Sequence, residues 1–157
     1  MPQLSMHCPI DDLTITQEDD KIVSVDWGWS PFQERTELLD EAKKQLDAYF
    51  DGELNRFDLP LDPFGTDHQK KVWDIMCAIP MGETLTYSDV AKKIGSSPQA
   101  VGTACGFNPI PIIIPCHRII ATSRGTKTRL GGYSGEGGTW TKKALLVLEG
   151  ALPLDLI

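Results

Sequence analysis

A proline-rich stretch, residues 59–65, divides this chain of 157 residues into two parts with different sequence patterns. Two prolines lie within it and a glycine ends it. Proline fixes its own φ and lacks an N–H donor, so it interrupts helices and central strands. The stretch predicts a linker, and we expect one domain in residues 1–65 and a second in residues 66–157.

The first part combines a strand pattern with a helix pattern. Short alternating runs at 13–16 and 22–27 flank an acidic run at 18–20, which predicts a β-hairpin. A Ser-Pro pair at 30–31 is typical of the N-cap and first position of a helix. An Asp-Gly pair at 51–52 predicts the end of that helix. Its apolar positions at helical spacing are Leu38, Leu39, Ala42, Leu46, Tyr49 and Phe50.

The second part is predicted to be mostly helical. Thr66 caps a helix that Pro80 ends, and a final helix is expected at about 144–149. Between them, Thr86 and Asp89 form a capping-box pattern that opens a short helix. A Ser-Pro pair at 97–98 opens another, so the two helices predict a helix-turn-helix.

Charge is distributed unevenly between the two parts. The whole chain has a formal net charge of −7. Residues 1–65 contain five Lys or Arg and fifteen Asp or Glu, whereas residues 66–157 contain ten and seven. This split indicates that only the second part could meet a polyanion, although an excess of +3 does not by itself predict DNA binding.

Composition excludes several classes of protein. Hydrophobic residues make up 41% and charged residues 24%, which is typical of a folded globular chain. The longest apolar run, 110–116, is far shorter than a membrane span, and the N-terminus lacks the pattern of a secretory signal. We therefore expect a cytoplasmic protein without membrane contact. The four cysteines form no C-x-x-C pair, which predicts free thiols rather than a disulfide framework or zinc site.

One cysteine has neighbours that could activate it. Cys116 is followed at once by His117 and then by Arg118, and a base or cation raises the fraction of reactive thiolate. Adjacent side chains of an extended chain point to opposite faces, however, so contact would need a bend or a bridging water. A buried cysteine that ends an apolar strand is the alternative interpretation.

The sequence around this cysteine resembles a known signature. Residues 108–120, Asn-Pro-Ile-Pro-Ile-Ile-Ile-Pro-Cys-His-Arg-Ile-Ile, resemble the active site of the O6-alkylguanine-DNA alkyltransferases, also called methylated-DNA–protein-cysteine methyltransferases. The resemblance covers roughly residues 64–150, and the first 60 residues match only in layout. It extends through Gln69, Val72-Trp73, Ile79-Pro80, Gly82, Thr86-Tyr87, Ala100-Val101-Gly102, Gly132-Tyr133-Ser134-Gly135, Leu145-Leu146 and Leu148-Glu149-Gly150.

The resemblance implies a fold and an activity. The fold would be α+β: a small N-terminal ribonuclease-H-like domain, then a mostly helical, winged-helix-like domain with a helix-turn-helix. The activity would be DNA repair by a monomer without cofactor. It would move an alkyl group irreversibly, once per molecule, from O6-alkylguanine in double-stranded DNA, with O4-alkylthymine as an alternative lesion, after nucleotide flipping.

The resemblance also assigns roles to residues. Cys116 would accept the alkyl group, His117 would act as its base through a water, and Glu149 would orient His117. Asn108 would tie the second helix of the helix-turn-helix to the active-site turn. Substrate-binding roles would fall to Tyr87, Tyr133, Ser134, Ile119 and Arg118. DNA-binding roles would fall to Gln99, Ala100, Thr103 and Thr86.

The chain departs from the family pattern at several positions. Gln99 stands where the family usually has an arginine that fills the gap left by the flipped base. Two residues are missing between Tyr87 and Gln99, the loop after 135 is longer, and His68 replaces a phenylalanine. Some relatives bind a structural zinc, but His7, Cys8 and His68 are too sparse to predict one.

Two other functions compete with alkyl transfer. A lesion sensor on the same fold would lack the acceptor cysteine, which is present here as Cys116. A thiol hydrolase with Cys116, His117 and Glu149 would turn over, whereas the alkyltransferase would be consumed.

Overall fold

A computed structural model describes residues 1–124, 127–129 and 138–152, with the backbone alone for 122–124 and 127–129. Residue contacts form two compact units. The first comprises Met1–Phe64 and Pro109–Pro111, and the second Gly65–Asn108 and Ile112–Ile157.

The first unit is an antiparallel sheet with one helix. Strands β1 (Gln3–Met6), β2 (Leu13–Glu18) and β3 (Lys21–Trp27) pair in the order β1-β2-β3, and helix α1 (Glu37–Phe50) contacts all three. The β2–β3 hairpin confirms the prediction from alternation, whereas β1 was not predicted. The core consists of Met6, Leu13, Ile15, Ile22 and Val25 of the sheet with Leu39, Ala42, Leu46 and Tyr49 of the helix.

Helix α1 begins later than the sequence predicts. Its N-cap is Thr36, whose Oγ1 accepts a hydrogen bond of 3.0 Å from Leu39 N–H, so the predicted start at Ser30 is wrong. Ser30 instead hydrogen-bonds to β1: its N–H donates to Ser5 Oγ and its hydroxyl to Gln3 Oε1. The Ser30 Oγ also accepts from Phe32 N–H at 3.1 Å, but the contacts with β1 hold this residue beside the sheet and the helix begins only after Thr36. The predicted end is confirmed, with the C-cap at position 51.

The proline-rich stretch is more than a passive connection. Ile22 N–H donates to Pro60 O and Ile22 O accepts from Asp62 N–H, both at 2.8 Å, so the stretch runs beside β3. A second proline segment of this unit does likewise, because Val25 N–H donates to Pro109 O at 2.9 Å. Proline supplies a carbonyl acceptor without needing a donor partner of its own, which suits such an edge position.

The second unit is mostly helical, and its described elements follow in chain order. They are α2 (Asp67–Ala78), β4 (Leu85–Thr86), α3 (Tyr87–Ile94), α4 (Pro98–Gly106), a 3-10 turn (Cys116–Arg118), β5 (Ile119–Ile120), β6 (Thr122–Arg124), β7 (Lys127–Arg129) and α5 (Thr139–Leu148). Strand β4 pairs with β5 in parallel, and β6 pairs with β7 in antiparallel fashion. Helix α5 starts at Thr139, ahead of the predicted 144.

Local capping rules account for the starts of α2, α3 and α4 and for the end of α3. Thr66 and Thr86 each form the N-cap of a capping box, and Ser97 accepts a hydrogen bond at the start of α4. Gly95 ends α3 with φ of 64°, a left-handed conformation that favours glycine. The predicted pair of short helices joined at 95–97 is therefore confirmed.

Trp73 links two helices at the centre of this unit. Its indole Nε1–H on α2 donates to Ala104 O on α4 at 2.9 Å, and its ring is buried. A Cβ built on Gly65 would lie 2.4 Å from the Trp73 ring, so only glycine fits there. Within the described part of the chain, no helix has the length and apolar character needed to cross a membrane.

Candidate active site

The chain bends at the cysteine that the sequence singles out. Pro115 precedes a 3-10 turn, Arg118 N–H donates to Pro115 O at 3.0 Å, and Ile119 N–H donates to Cys116 O. Successive side chains of a 3-10 turn lie about 120° apart, so the extended geometry considered from the sequence does not apply. The side chains of Cys116, His117 and Arg118 are all buried.

The segment before this turn is hydrogen-bonded by Asn108 and contains one residue with an unusual backbone conformation. The Asn108 Nδ2 donates to Ile114 O at 2.8 Å, and Asn108 N–H donates to Cys105 O at the end of α4. The side chain of Asn108 therefore contacts the segment before the turn, and its backbone contacts the end of α4. Between them, Ile112 has φ of 74°, which is costly for a β-branched residue and is retained here in a fully buried position.

His117 and Arg118 converge on one carboxylate. The His117 Nε2 lies 2.5 Å from Glu149 Oε2, while Arg118 Nε and Nη2 donate to Glu149 Oε1 and Oε2 at 2.8 and 3.1 Å. Glu149 is the C-cap of α5, where the helix dipole disfavours a negative charge. The cationic partner that this position calls for is therefore Arg118.

These contacts set the protonation of the carboxylate. Burial alone would raise the pKa of Glu149, but the hydrogen bonds from His117 and Arg118 and the positive charge of Arg118 outweigh burial and lower it from 4.5 to about 2. Glu149 is therefore ionised at neutral pH. Burial lowers the pKa of His117, against the opposing effect of Glu149, so its imidazole is neutral at pH 7.

The neutral imidazole can then have only one tautomer in this contact. An ionised carboxylate can accept hydrogen bonds but cannot donate them, so His117 Nε2 must be the protonated nitrogen. Nδ1 is then the unprotonated nitrogen, which has a free lone pair. Among the described residues, Nδ1 is buried and has no hydrogen-bond partner. The arrangement leaves a basic nitrogen available one residue after the cysteine.

The Arg118 guanidinium contacts a backbone carbonyl as well as the glutamate. Its third guanidinium contact is Nη1 to Ile79 O at 2.7 Å, so the group is surrounded by Glu149 and a backbone carbonyl. Arg118 therefore supplies a cation beside Glu149, and it lies only one residue beyond His117 in the sequence.

A second group of polar side chains lies near the same turn. Lys142 of α5 is completely buried, and its Nζ lies 3.4 Å from Tyr87 Oη. Burial lowers the pKa of Lys142 to about 8 and raises that of Tyr87 and of Cys105 to about 12. Sequence analysis missed Lys142, although its spacing to Leu145 and Leu146 places it on the apolar face of α5.

The residues assigned to DNA lie on α4 and at the N-cap of α3. Gln99 and Thr103 are exposed and one helical turn apart, with Ala100 beside them, and the Thr103 hydroxyl donates to Gln99 O at 3.0 Å. The Thr86 hydroxyl accepts from Asp89 N–H as the cap of α3. These residues do not join the buried polar groups of the turn.

The remaining assigned residues are Ile119, Tyr133 and Ser134. Ile119 is buried in β5, where it pairs with Leu85. Tyr133 and Ser134 lie outside the described residues.

No group of three or more His, Cys, Asp or Glu capable of holding a metal occurs among the residues that the structure covers. His7 instead lies 2.6 Å from Asp12. His68 Nε2 lies 2.8 Å from Ser96 Oγ, in the turn between α3 and α4.

Sequence comparison finds matches over both units. A family model described as "6-O-methylguanine DNA methyltransferase, DNA binding domain" matches residues 67–151, and one described as "6-O-methylguanine DNA methyltransferase, ribonuclease-like domain" matches residues 4–63. A methylated-DNA–protein-cysteine methyltransferase of Mycolicibacterium paratuberculosis is 40% identical over 154 residues, which is 92% of this chain and 90% of the relative. One from Methanosarcina acetivorans is 48% identical over 75% of this chain and 73% of the relative.

Solved structures give the same result. A crystal structure of Mycobacterium tuberculosis OGT in complex with DNA superposes with a TM-score of 0.83 at 38% identity, covering 99% of this chain and 98% of that one. An O6-methylguanine DNA methyltransferase from Methanococcus jannaschii gives a TM-score of 0.67 at 29% identity, covering 96% and 95%. The predicted α+β fold class is confirmed.

Proposed function

Because this chain belongs to the 6-O-methylguanine DNA methyltransferase family, we propose that it repairs DNA by moving an alkyl group from guanine O6 to Cys116. The observation that carries this proposal is the buried contact of His117 with the ionised Glu149, one residue from a buried cysteine. The contact prepares a neutral base beside a thiol, which is the requirement for making a thiolate at neutral pH.

The proposed reaction is an in-line displacement. The Cys116 sulfur forms a bond to the alkyl carbon as the bond from that carbon to guanine O6 breaks. His117 Nδ1 takes the thiol proton through a water, while Glu149 stabilises the imidazolium and Arg118 keeps Glu149 ionised. Guanine gains one proton, so the thiol proton is balanced and no cofactor is consumed. The thioether is stable, and each molecule acts once.

The leaving guanine needs hydrogen-bond donors where charge develops. We assign this role to the Tyr87 hydroxyl and the Ser134 backbone, with Tyr133 stacked on the base. The carbonyls of Cys116 and Ile119 would bind the exocyclic amine of guanine. Asn108 is a positioning residue, because its contact with Ile114 O fixes the chain two residues before the cysteine.

The proposed DNA contact uses α3 and α4 as a helix-turn-helix. Their exposed residues Gln99 and Thr103, with Ala100, would face the minor groove, and Gln99 would occupy the space of the flipped nucleotide. Catalysis and DNA binding would both lie in residues 66–157, with one cytoplasmic monomer for each lesion.

The test is intact-mass analysis after mixing the protein with a duplex that contains one O6-methylguanine. We expect a gain of one methyl group per molecule on Cys116, and no transfer to a Cys116→Ser variant that still binds the lesion. Cys77→Ser is the matched control, because Cys77 is an exposed thiol elsewhere on the same unit. Methyl on another cysteine, or release of product with turnover, would contradict the proposal.

A further inference from the structure

The excess positive charge of residues 66–157 is concentrated in one short segment. Residues 122–129, in which strands β6 and β7 lie, contain three Lys or Arg and no Asp or Glu. The rest of residues 66–157 contains seven residues of each sign. The pair of strands, called here the β6–β7 ribbon, therefore accounts for the whole excess of +3, and the roles proposed above do not use it.

The register of the two strands places the three basic residues on one face of the ribbon. Arg124 lies opposite Lys127, and Thr122 lies opposite Arg129. In an antiparallel pair, directly opposed positions share a face, and so do positions two apart along one strand. Arg124, Lys127 and Arg129 therefore occupy the same face, and the opposed pair between them occupies the other.

A face of this kind fits an anionic partner. Like charges at directly opposed positions destabilise a pair of strands, and Arg124 and Lys127 are such a pair. The ribbon has no acidic residue to compensate for this repulsion. A polyanion against the same face would replace the repulsion with attraction, so the ribbon is better suited to a bound state than to the free protein.

The ribbon begins close to both the helix-turn-helix and the active-site turn. One residue separates β6 from β5, where Ile120 pairs with Thr86, the N-cap of α3. Thr122 follows Cys116 by six residues, which span at most about 20 Å. Duplex DNA carries one phosphate charge for about every 1.7 Å of its axis, so a duplex whose flipped guanine reaches Cys116 brings phosphates within this distance.

The helix assigned to DNA lacks the charge that phosphates require. Helix α4 contains no Lys, Arg, Asp or Glu, and its assigned residues Gln99, Ala100 and Thr103 are uncharged. Contacts to phosphates fix the orientation of a protein on a duplex, whereas contacts to base edges read its sequence. A cation outside α4 is therefore needed to hold the duplex, and the ribbon supplies three.

Resting on the proposed repair of duplex DNA, we propose that Arg124, Lys127 and Arg129 form a phosphate-binding face that holds the backbone of the substrate duplex while α4 meets its minor groove. Phosphates are the same at every nucleotide, so this contact is independent of base sequence and of the lesion. It also determines how the affinity for DNA depends on salt, because each cation that meets a phosphate releases a counterion.

The experiment measures the affinity of the variant Arg124→Gln/Lys127→Gln/Arg129→Gln for DNA over a range of salt concentrations. The ligands are an undamaged duplex and the same duplex with one O6-methylguanine. Each phosphate contact contributes about 0.9 to the slope of log affinity against log salt. We expect the slope to decrease by about 3 and the affinity at about 0.1 M salt to fall at least 10-fold, equally for both duplexes.

The matched control changes the net charge by the same amount but removes three exposed cations of the first unit, in the variant Lys21→Gln/Lys44→Gln/Arg56→Gln. It should leave the slope unchanged. A charge-preserving variant of the ribbon, Arg124→Lys/Lys127→Arg/Arg129→Lys, should bind like the natural protein. Each single glutamine variant should decrease the slope by about 1, which keeps the test decisive if the triple variant does not fold.

The rate of transfer from the free base should not change in the ribbon variants, because the free base has no phosphate. An unchanged slope in folded ribbon variants would overturn the proposal. An equal loss in the control variant would also overturn it, since net charge would then explain the effect. Binding to the undamaged duplex does not involve Cys116, so failure of the natural protein to methylate Cys116 would overturn the proposed function without altering this test.

Discussion

Replacing Glu149 with glutamine tests the electrostatic basis of the site. Glutamine has nearly the shape of a protonated glutamate and no charge, so the variant resembles the natural protein at low pH. The exchange leaves the Arg118 guanidinium, buried against Glu149 at 2.8 and 3.1 Å, without its counter-charge. We expect a loss of stability that depends on pH in a calculable way.

The magnitude follows from the pKa of Glu149, which folding lowers from 4.5 to about 2. A group with a lowered pKa in the folded state stabilises the protein above its unfolded pKa, and this stability is lost as pH falls through the folded value. The shift corresponds to about 3 kcal/mol at pH 7 and about 1 kcal/mol at pH 3. Breaking a buried ion pair by removing one partner costs a similar amount, about 3–5 kcal/mol.

The assay is urea unfolding of the natural protein and of Glu149→Gln at pH 7 and pH 3. Glu83→Gln is the control, because Glu83 is exposed on the same unit, and its effect should stay within about 0.5 kcal/mol. The difference between the natural protein and Glu149→Gln should shrink from pH 7 to pH 3. A difference that is the same at both values would show that Arg118 and His117 do not hold the ionised form of Glu149, and the tautomer argument for His117 would fail with it.

Three further predictions concern DNA and the core. Gln99→Arg should raise the ratio of the rate on duplex O6-methylguanine to the rate on the free base. Gln99→Ala should lower this ratio, by an amount that corresponds to about 1 kcal/mol of activation free energy. An unchanged ratio in both variants would exclude Gln99 from the base stack. The affinity for DNA should decrease only modestly as the salt concentration rises, and residues 66–157 should make the DNA contacts. A fragment of residues 1–65 that binds DNA as tightly as the whole chain would contradict this prediction. Trp73→Phe should cost about 1–3 kcal/mol in urea unfolding, because Ala104 O loses its buried donor; a smaller cost would indicate that another donor replaces it.

Local signals were the most reliable guide to the fold. The caps at Thr66, Thr86 and Ser97 depend on hydrogen bonds within four residues, so the sequence itself contains both partners. The prediction of the start of α1 was wrong because it depends on a distant segment. Ser30 hydrogen-bonds to β1, and Thr36 is the N-cap. Strand β1 was not predicted for a similar reason, because it is a strand only through its pairing with β2, which is another segment of the chain.

In the site too, contacts between neighbouring residues could be predicted from the sequence and contacts between distant residues could not. Cys116 and His117 are adjacent in sequence, so their chemistry could be anticipated, and the family resemblance supplied Glu149. The contact of Arg118 with Glu149 spans 31 residues and that of Lys142 with Tyr87 spans 55. No pattern within one segment encodes contacts of that kind, and for this reason the structure was needed to find them.

The seven-residue spacing of Lys142 and Glu149 limits how α5 can vary among relatives of this protein. Seven residues fall about 20° short of two complete helical turns, so the two charges stay aligned. Insertion or deletion of one residue between them would rotate Glu149 by about 100° about the helix axis and carry it away from His117. Exposed faces of this segment are free to change in composition, whereas its length is fixed, and natural gains or losses of residues should fall outside 142–149.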